Sequence, residues 1–227
     1  EHERAAASGR SDAEIYEGHA ETLIRQMEMY VDSSKTLGNL PEMITRIADR
    51  LSSADSTSMA GHMKKATAAM LRNSVSGTAA QAEDHASVCL GELAVVLSHT
   101  PDDAFAHDAE ANCLSLLAQR DAKQGQDPIQ LLERASAGLA RVLRSRPTFV
   151  WGLNDLGVIK SILATQKWRR GQASAREALR EALRYQEQAV RIDETYIVAL
   201  VNQLVARTEF IPMQNTRSEI MESLSHA

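Results

Sequence analysis

Aromatic residues are scarce in this sequence, which holds two tryptophans, four tyrosines and three phenylalanines among 227 residues. Glycine and proline are also few, at 11 and 5 residues. Alanine and leucine are the most frequent residues, with arginine and glutamate also common, and this composition is typical of helices. With 44% apolar and 24% charged residues, the chain has enough apolar side chains to build a core. We therefore expect a folded, mainly helical protein.

Long hydrophobic runs and cysteines are lacking as well. No stretch of 18 apolar residues occurs, so we expect no helix of this soluble segment to insert into a membrane. The two cysteines, Cys89 and Cys113, are too few for a disulfide framework and lack CxxC spacing. The N-terminal residues show no signal-peptide pattern. The sequence starts with Glu1 and not with Met, which suggests a piece of a longer protein. Its localisation is left open.

Charge is unevenly distributed along the chain. The net charge of −5 gives the whole chain no attraction to nucleic acid. Residues 77–121 carry eight acids against one arginine, a local charge of −7, whereas residues 160–191 carry eight bases against three glutamates, a local charge of +5. The acidic segment of one molecule could contact the basic segment of another. The opposite charges therefore predict a weak self-association that salt reduces.

Helix-capping signals divide the chain into helices. A capping box places a Ser or Thr three residues before a Glu or Gln, and such signals start at Ser11, Thr78, Ser174 and Thr216. Asn39-Leu40-Pro41 and Asp127-Pro128 mark two further starts. No strand-like alternation is visible, so the signals predict about ten helices joined by short loops. We expect a flexible start at residues 1–10, an N-terminal helical segment at 11–55 and helical repeats at 56–227.

An internal repeat is the strongest signal in the sequence. Gly125 and Gly171 are 46 residues apart, and Pro101 and Pro147 are separated by the same 46 residues. The alignment pairs Phe105 with Trp151, Leu117 with Leu163 and Ala118 with Ala164, and it pairs Cys89 with Ala135 and, after one inserted residue, Ala182. Helix pairs that repeat at such a period predict a solenoid, because only neighbouring pairs can cover the apolar face of each.

One unit of the repeat contains Gly152-Leu153-Asn154-Asp155-Leu156-Gly157, followed later by Ala182 and Ala189. It resembles a unit of the tetratricopeptide (TPR) family, whose first helix has a Leu-Gly pair and whose second helix has two small residues. Extra residues between the two halves, with Gly125-Gln126-Asp127-Pro128 as their counterpart in the preceding unit, resemble the elongated TPR regions of bacterial multidomain signalling proteins that carry Ser/Thr kinase, TIR or caspase-like domains. Residues 20–43 are similar to the segment that introduces such arrays. The resemblance implies an all-α, right-handed α-solenoid of helix pairs with an N-terminal helical segment.

The same resemblance implies a binding function. A TPR array binds partners in a groove lined by the first helix of each unit, and the motif places seven residues there: Phe105, Asp108, Asn112, Trp151, Asn154, Val158 and Asn202. Amide and aromatic side chains suit an extended peptide or protein segment. Packing between helices is the alternative role for these residues. We expect a non-catalytic interaction or sensory scaffold module, without a cofactor, within a larger bacterial signalling protein.

A metal-binding or enzymatic helical domain is the alternative from another class. His85 and Cys89 lie four residues apart on one helical face, and Cys113 falls on a neighbouring helix, so the three could ligate zinc. Core packing is the competing interpretation, because Cys89 aligns with small buried positions and is expected to be a packed thiol. We favour core packing. His99, His107 and Asp108 carry no nucleophile elbow that would make them part of a catalytic triad.

Two groups of basic residues raise the possibility of an acidic partner or a nucleic acid. Arg176, Arg180 and Arg184 form a stripe on one helical face. We expect a solvated face instead, neutralised by local pairs of Glu177 with Arg180, Glu181 with Arg184 and Arg184 with Glu187. The run Lys167-Trp168-Arg169-Arg170 has a single aromatic residue, which is no stacking platform, so we expect Trp168 to close the end of a helix pair.

Overall fold

The computed structural model describes residues 12–33, 36–74 and 79–210. This part of the chain contains nine α-helices and no strand, which confirms the all-α prediction. The helices are α1 (Asp12–Asp32), α2 (Leu40–Ala54), α3 (Ala60–Ser74), α4 (Ala79–His99), α5 (Ala104–Lys123), α6 (Ile129–Ser145), α7 (Val150–Arg169), α8 (Ala175–Ile192) and α9 (Ile197–Phe210).

The predicted helix starts agree with the structure in position more often than in capping chemistry. The Asp127 carboxylate accepts a bond from the backbone N–H of Ile129 at 2.9 Å, and this bond, with the nearby Arg170, lowers the pKa of Asp127. Ser174 stands directly before α8 but makes no capping side-chain bond, so its predicted capping box is wrong. Asn39 likewise precedes α2 without such a bond. The signals at Ser11, Thr78 and Thr216 lie outside the described residues.

The first repeated structural element is the turn between the two long helices of a pair. Gly125 and Gly171 have φ of +77° and +66°, a left-handed conformation that glycine adopts without steric cost. The backbone N–H of Gln126 donates to the carbonyl of Asp121 at 2.8 Å, and that of Gln172 donates to Lys167 at 3.0 Å. Donors and acceptors are both 46 residues apart, so the sequence period corresponds to a repeated backbone geometry.

A second turn recurs at the other end of the helices. In each case the residue after a helix donates its N–H to the carbonyl four residues earlier, at 2.8–3.0 Å: Asp55 to Leu51, Thr100 to Val96, Arg146 to Val142 and Asp193 to Ala189. At Asp55 and Asp193 the carboxylate also accepts bonds from the backbone and hydroxyl of the Thr two residues later. The form of this turn with an Asp and a Thr, seen at Asp193, is therefore present already at Asp55, inside the segment predicted to precede the repeats.

By its contacts the chain forms two compact units, residues 1–120 and 121–227. The division does not coincide with the boundary expected after residue 55. In the first unit, α3 packs against α1, α2 and α4. One buried cluster joins α1, α2 and α3 around Met27, Ile44 and Ala68, and another joins α3, α4 and α5 around Ala66, Leu93 and Ala106.

Polar side chains of α3 reach all three helices that surround it. Lys64 bonds Glu21 of α1, and this bond is the main reason why the pKa of Glu21 is lowered. The other pairs run to α2 and α4: Lys65 with Asp49, Arg72 with Glu42 and His62 with Glu92. These pairs form at the edges of the apolar clusters, where solvent still reaches the carboxylates, so they orient α3 more than they stabilise it.

In the second unit, α7 is the central helix and packs against α6, α8 and α9. Gly157 permits its close approach to α8, because a Cβ at this position would lie 2.6 Å from Cγ of Gln186 and 3.1 Å from the carbonyl oxygen of Ala182. A buried cluster joins α7, α8 and α9 through Ala164, Leu179 and Ala206. Small side chains are therefore what lets these helices pack closely.

Candidate functional site

One stripe of α7 carries the half-exposed Trp151 beside residues that are more deeply covered. It contains Trp151, Asn154, Asp155 and Val158, which follow the i, i+3, i+4, i+7 spacing of a single helical face. Trp151 is 51% exposed, whereas Asp155 and Val158 are partly buried and Asn154 is buried. The stripe thus presents an exposed aromatic ring beside a partly covered polar group.

Trp151 has a defined setting in spite of its exposure. Its ring meets the ring of Phe149 edge to face, with centroids 6.0 Å apart and planes at 86°. The ring of Phe149 in turn lies against the backbone of Gly152, where a Cβ would come within 2.5 Å of Cδ1. The missing side chain at Gly152 therefore leaves room for Phe149, and the edge-to-face contact favours one orientation of the exposed indole.

A chain of hydrogen bonds runs beside Trp151 from α9 to α7. Asn202 donates from Nδ2 to Oδ1 of Asn154 at 3.0 Å, and Asn154 donates from Nδ2 to Oδ1 of Asp155 at 2.8 Å. Asn154 is only 2% exposed, so it lacks the solvent-facing position that a direct ligand contact requires. Asn202 and Asp155 are partly exposed and form the accessible ends of this chain. An amide and a carboxylate can together bind the N–H and carbonyl groups of an extended backbone.

The other three predicted residues lie in the first unit, on one face of α5. Phe105, Asp108 and Asn112 have i, i+3, i+7 spacing, and Phe105 is 49% exposed, close to the value for its aligned counterpart Trp151. Asp108 and Asn112 are partly buried, and all three residues have contacts within the protein. The seven predicted residues therefore form two sets, with Phe105, Asp108 and Asn112 in one unit and Trp151, Asn154, Val158 and Asn202 in the other.

The structure confirms the packed position predicted for Cys89, but the prediction of a free thiol is wrong. Cys89 of α4 and Cys113 of α5 are joined in a disulfide, with Cα atoms 6.6 Å apart, and both are fully buried. Cys89 does occupy a small-residue packing position, but it is not a free thiol. The proposed zinc set of His85, Cys89 and Cys113 also fails, because zinc binds cysteine as a thiolate and neither sulfur is one here. His85 instead borders a shallow groove with Arg72 and Glu92.

The histidines near α5 have structural contacts. Nε2 of His107 lies 2.8 Å from the carbonyl oxygen of Pro101, and its Nδ1 faces Glu110 at 3.6 Å. Nδ1 of His99 lies 3.0 Å from the carbonyl oxygen of Val95. These contacts hold both rings against the ends of helices.

Only one of the three ion pairs predicted along α8 forms. Arg180 pairs with Glu177 at 3.5 Å, but Glu181 bonds Lys160 of α7 and Glu187 bonds Arg207 of α9, each at 2.7 Å. The two latter carboxylates therefore link α8 to its neighbours. Two of the three cations around Trp168 have partners too, since Lys167 pairs with Glu133 at 3.3 Å and Arg170 with Asp127 at 2.5 Å.

Sequence reasoning missed the bond between Asn154 and Asn202 and the wide apolar surface of α9. The surface has a visible signal, because Ile197, Leu200, Val201 and Leu204 follow helical spacing next to the small residue Ala199. The bond has none, since it joins residues 48 positions apart.

Comparison with known proteins returns no match to this chain, either among family models or among curated sequences. Within the described ranges, no helix combines the length and the apolar character that crossing a membrane requires.

Proposed function

We propose that this chain is a non-catalytic protein-interaction module, built as a right-handed α-solenoid of TPR-like helix pairs, that binds a peptide or protein segment along the Trp151 face of α7. The carrying observation is the half-exposed Trp151 ring, oriented by Phe149 and flanked by the partly exposed polar groups of Asp155 and Asn202. Large aromatic residues of restricted orientation are frequent binding anchors, because they bury much apolar area while losing little conformational entropy.

The polar groups beside the ring give the proposal its ligand class. An extended segment presents alternating N–H and carbonyl groups that an amide and a carboxylate can pair, while the indole covers an apolar side chain. The internal bonds of Asn154 with both neighbours hold these groups in place before binding, which lowers the entropic cost of association. Resemblance to the TPR regions of bacterial signalling proteins favours a scaffold or sensory role for the module in such a protein.

The test uses the two tryptophans as a matched pair. Peptides are selected from a random-sequence library on the full chain, and their affinities are then measured for Trp151→Ala and for Trp168→Ala, whose side chain is 40% exposed at the end of the same helix. We expect Trp151→Ala to weaken binding roughly tenfold or more, and Trp168→Ala to leave it unchanged. Circular dichroism checks that both variants keep the fold.

A single-tryptophan protein, Trp168→Phe, gives a second readout. Its fluorescence then reports on Trp151 alone, and a bound peptide that covers the ring shifts the emission. If selected peptides bind both tryptophan variants equally, or bind without changing this emission, the Trp151 face is not the binding site.

A further inference from the structure

The series of hydrogen bonds beside Trp151 has a fixed direction. The carboxylate of Asp155 only accepts hydrogen bonds, so Asn154 presents its NH₂ group to it, at 2.8 Å. The amide oxygen Oδ1 of Asn154 is therefore left for α9, where it accepts the bond from Nδ2 of Asn202 at 3.0 Å. One carboxylate thus sets the orientation of both amides.

Acceptor groups consequently predominate at the two accessible ends of this bond series. Asp155 is partly exposed at one end. Its carboxylate offers about four acceptor sites, of which the bond from Asn154 takes one, and the residue also has a further contact within the protein. At the other end, the partly exposed Asn202 donates one N–H to Asn154, while its Oδ1 takes no part in that bond. A ligand group that meets both ends must therefore be rich in donors.

The charges on the two helices also favour a cationic ligand. Asp155 is the only charged residue of 150–159, the part of α7 that holds the Trp151 face, and residues 197–206 of α9 contain none. The next cation along each helix bonds a glutamate of α8 at 2.7 Å: Lys160 with Glu181, and Arg207 with Glu187. These two helix segments therefore contribute one negative charge and no positive charge.

Aromatic and aliphatic side chains border the acceptors. Trp151 precedes Asp155 by one helical turn, a spacing that places Cβ atoms about 5–6 Å apart. On α9, Val198 and Val205 stand four residues before and three residues after Asn202, and they are 52% and 50% exposed. An indole attracts a cation over its face, and valine side chains can cover a methylene stem. These surroundings suit a long basic side chain.

We propose that the Trp151 face selects basic segments, in which an arginine lies over the indole and donates to the carboxylate of Asp155, with Oδ1 of Asn202 as a second acceptor. This inference rests on the proposed function, because it specifies the ligand of the same face. Arginine suits the site better than lysine, since its planar group stacks on an aromatic ring and carries several N–H donors in a fixed fork. The partner is therefore a protein segment that contains arginine.

Peptides selected from the random-sequence library on the full chain supply the probe. We expect every peptide whose affinity falls for Trp151→Ala to contain an arginine. Replacing that arginine by citrulline, a neutral group of similar shape, should weaken binding to the unchanged chain roughly tenfold or more. Peptides that depend on Trp151 but lack arginine, or that bind as tightly with citrulline, would overturn the inference and leave the proposed function standing.

A cycle with Asp155→Asn identifies the acceptor. This variant removes the negative charge, and its Oδ1 can still accept the bond from Asn154. The arginine and citrulline forms of one peptide should bind the variant within roughly threefold of each other, because the anionic partner of the guanidinium is missing. Glu177→Gln is the matched control, since it removes an exposed negative charge at the start of α8 and should keep the roughly tenfold preference for arginine. An equal preference in Asp155→Asn and in the control would overturn the role of Asp155.

Failure of the proposed function would give a different result. If the selected peptides bind Trp151→Ala as tightly as the unchanged chain, the Trp151 face is not the binding site, and the inference about its ligand fails with it. Circular dichroism checks the fold of each variant. Should Asp155→Asn not fold, the citrulline comparison decides alone, because it changes only the peptide.

Discussion

The consecutive helices α4 and α5 pack together at the same aligned positions as the consecutive helices α8 and α9. The contact at these positions differs between the two pairs. Cys89 aligns with Ala182, and Cys113 aligns with Ala206 by the same offset along the sequence. In the first pair these positions form a disulfide, and in the second both are buried alanines of one apolar cluster. The comparison shows that these two helix pairs both place small buried side chains at the two positions, while the covalent bond is particular to the first pair.

The α8–α9 pair has an ion pair in place of the disulfide. Arg207, with only 12% of its side chain exposed, bonds Glu187 at 2.7 Å. The aligned residues of the first pair are Leu114 and Ala94, which cannot form such a bond. A polar contact and a cystine thus join equivalent helices, and their different strengths can be measured.

Removal of the disulfide should have the largest effect. The double variant Cys89→Ala/Cys113→Ala keeps small side chains at both positions but releases a loop closed over 24 residues, so we expect a loss of about 3 kcal/mol from the free energy of unfolding. Urea denaturation gives the magnitude, and hydrogen exchange shows its location. Amides of α4 and α5 should exchange faster while those of α8 are unaffected. Unchanged stability would mean that the bond does not constrain this pair.

A large side chain inserted between α7 and α8 should cause the second-largest loss of stability. Gly157→Leu places a large side chain against Gln186 and the backbone of Ala182, so we expect a loss of about 2 kcal/mol or more. Gly91→Leu is the control, because Gly91 is an exposed helical glycine with open space around it. This variant should lose no stability and should gain up to about 1 kcal/mol, since leucine favours a helix more than glycine does. Equal melting temperatures for the two variants would contradict the close approach.

The amide bond between α7 and α9 should contribute less. Asn154→Ala removes a buried group that pairs with two neighbours and should cost about 1 to 2 kcal/mol, whereas the more exposed Asn202→Ala should cost under about 1 kcal/mol. A double-mutant cycle measured by thermal unfolding should give a coupling near 1 kcal/mol. Additive losses would indicate that the two amides act independently.

The smallest effect should come from the ion pair that distinguishes α8–α9. Glu187→Gln keeps the shape of the side chain and should cost less than about 1 kcal/mol, because 41% of the Glu187 side chain is exposed and solvent screens the pair. Stability measured at low and high salt should converge between the variant and the unchanged chain. A loss as large as that caused by removing the disulfide would contradict the expectation that the ion pair stabilises its helices less than the disulfide does.

Much of the local structure could be predicted from the sequence, because it depends on residues a few positions apart. The turns at Gly125 and Gly171 follow from the conformational freedom of glycine, and the start of α6 follows from Asp127. The same reasoning fails for Glu181 and Glu187, for which it predicts partners on their own helix. Lysine and arginine on adjacent helices lie within reach of these carboxylates, and the spacing along one helix carries no information about them.

The disulfide and the buried amide show a second reason why sequence-based prediction fails, which is that both depend on how separate helices pack. Alignment with Ala135 and Ala182 correctly predicts a small buried position at Cys89, but it cannot show which residue of α5 lies opposite, since that depends on the register between helices. Helical spacing correctly places Asn154 on the face that holds Trp151. Its burial, however, is produced by α9, which packs against α7 and brings Asn202 to it.

The most direct test of the helix-pair repeat transfers the cystine from the first pair to the last. If Ala182 and Ala206 are equivalent to Cys89 and Cys113, the double variant Ala182→Cys/Ala206→Cys should form a second disulfide on air oxidation, and intact mass after alkylation should show no free thiol. The control Ala182→Cys/Val205→Cys, whose second position is half exposed and faces away from α8, should keep two free thiols. Two free thiols in the first variant, or a disulfide formed equally well in the control, would contradict the equivalence of the two helix pairs.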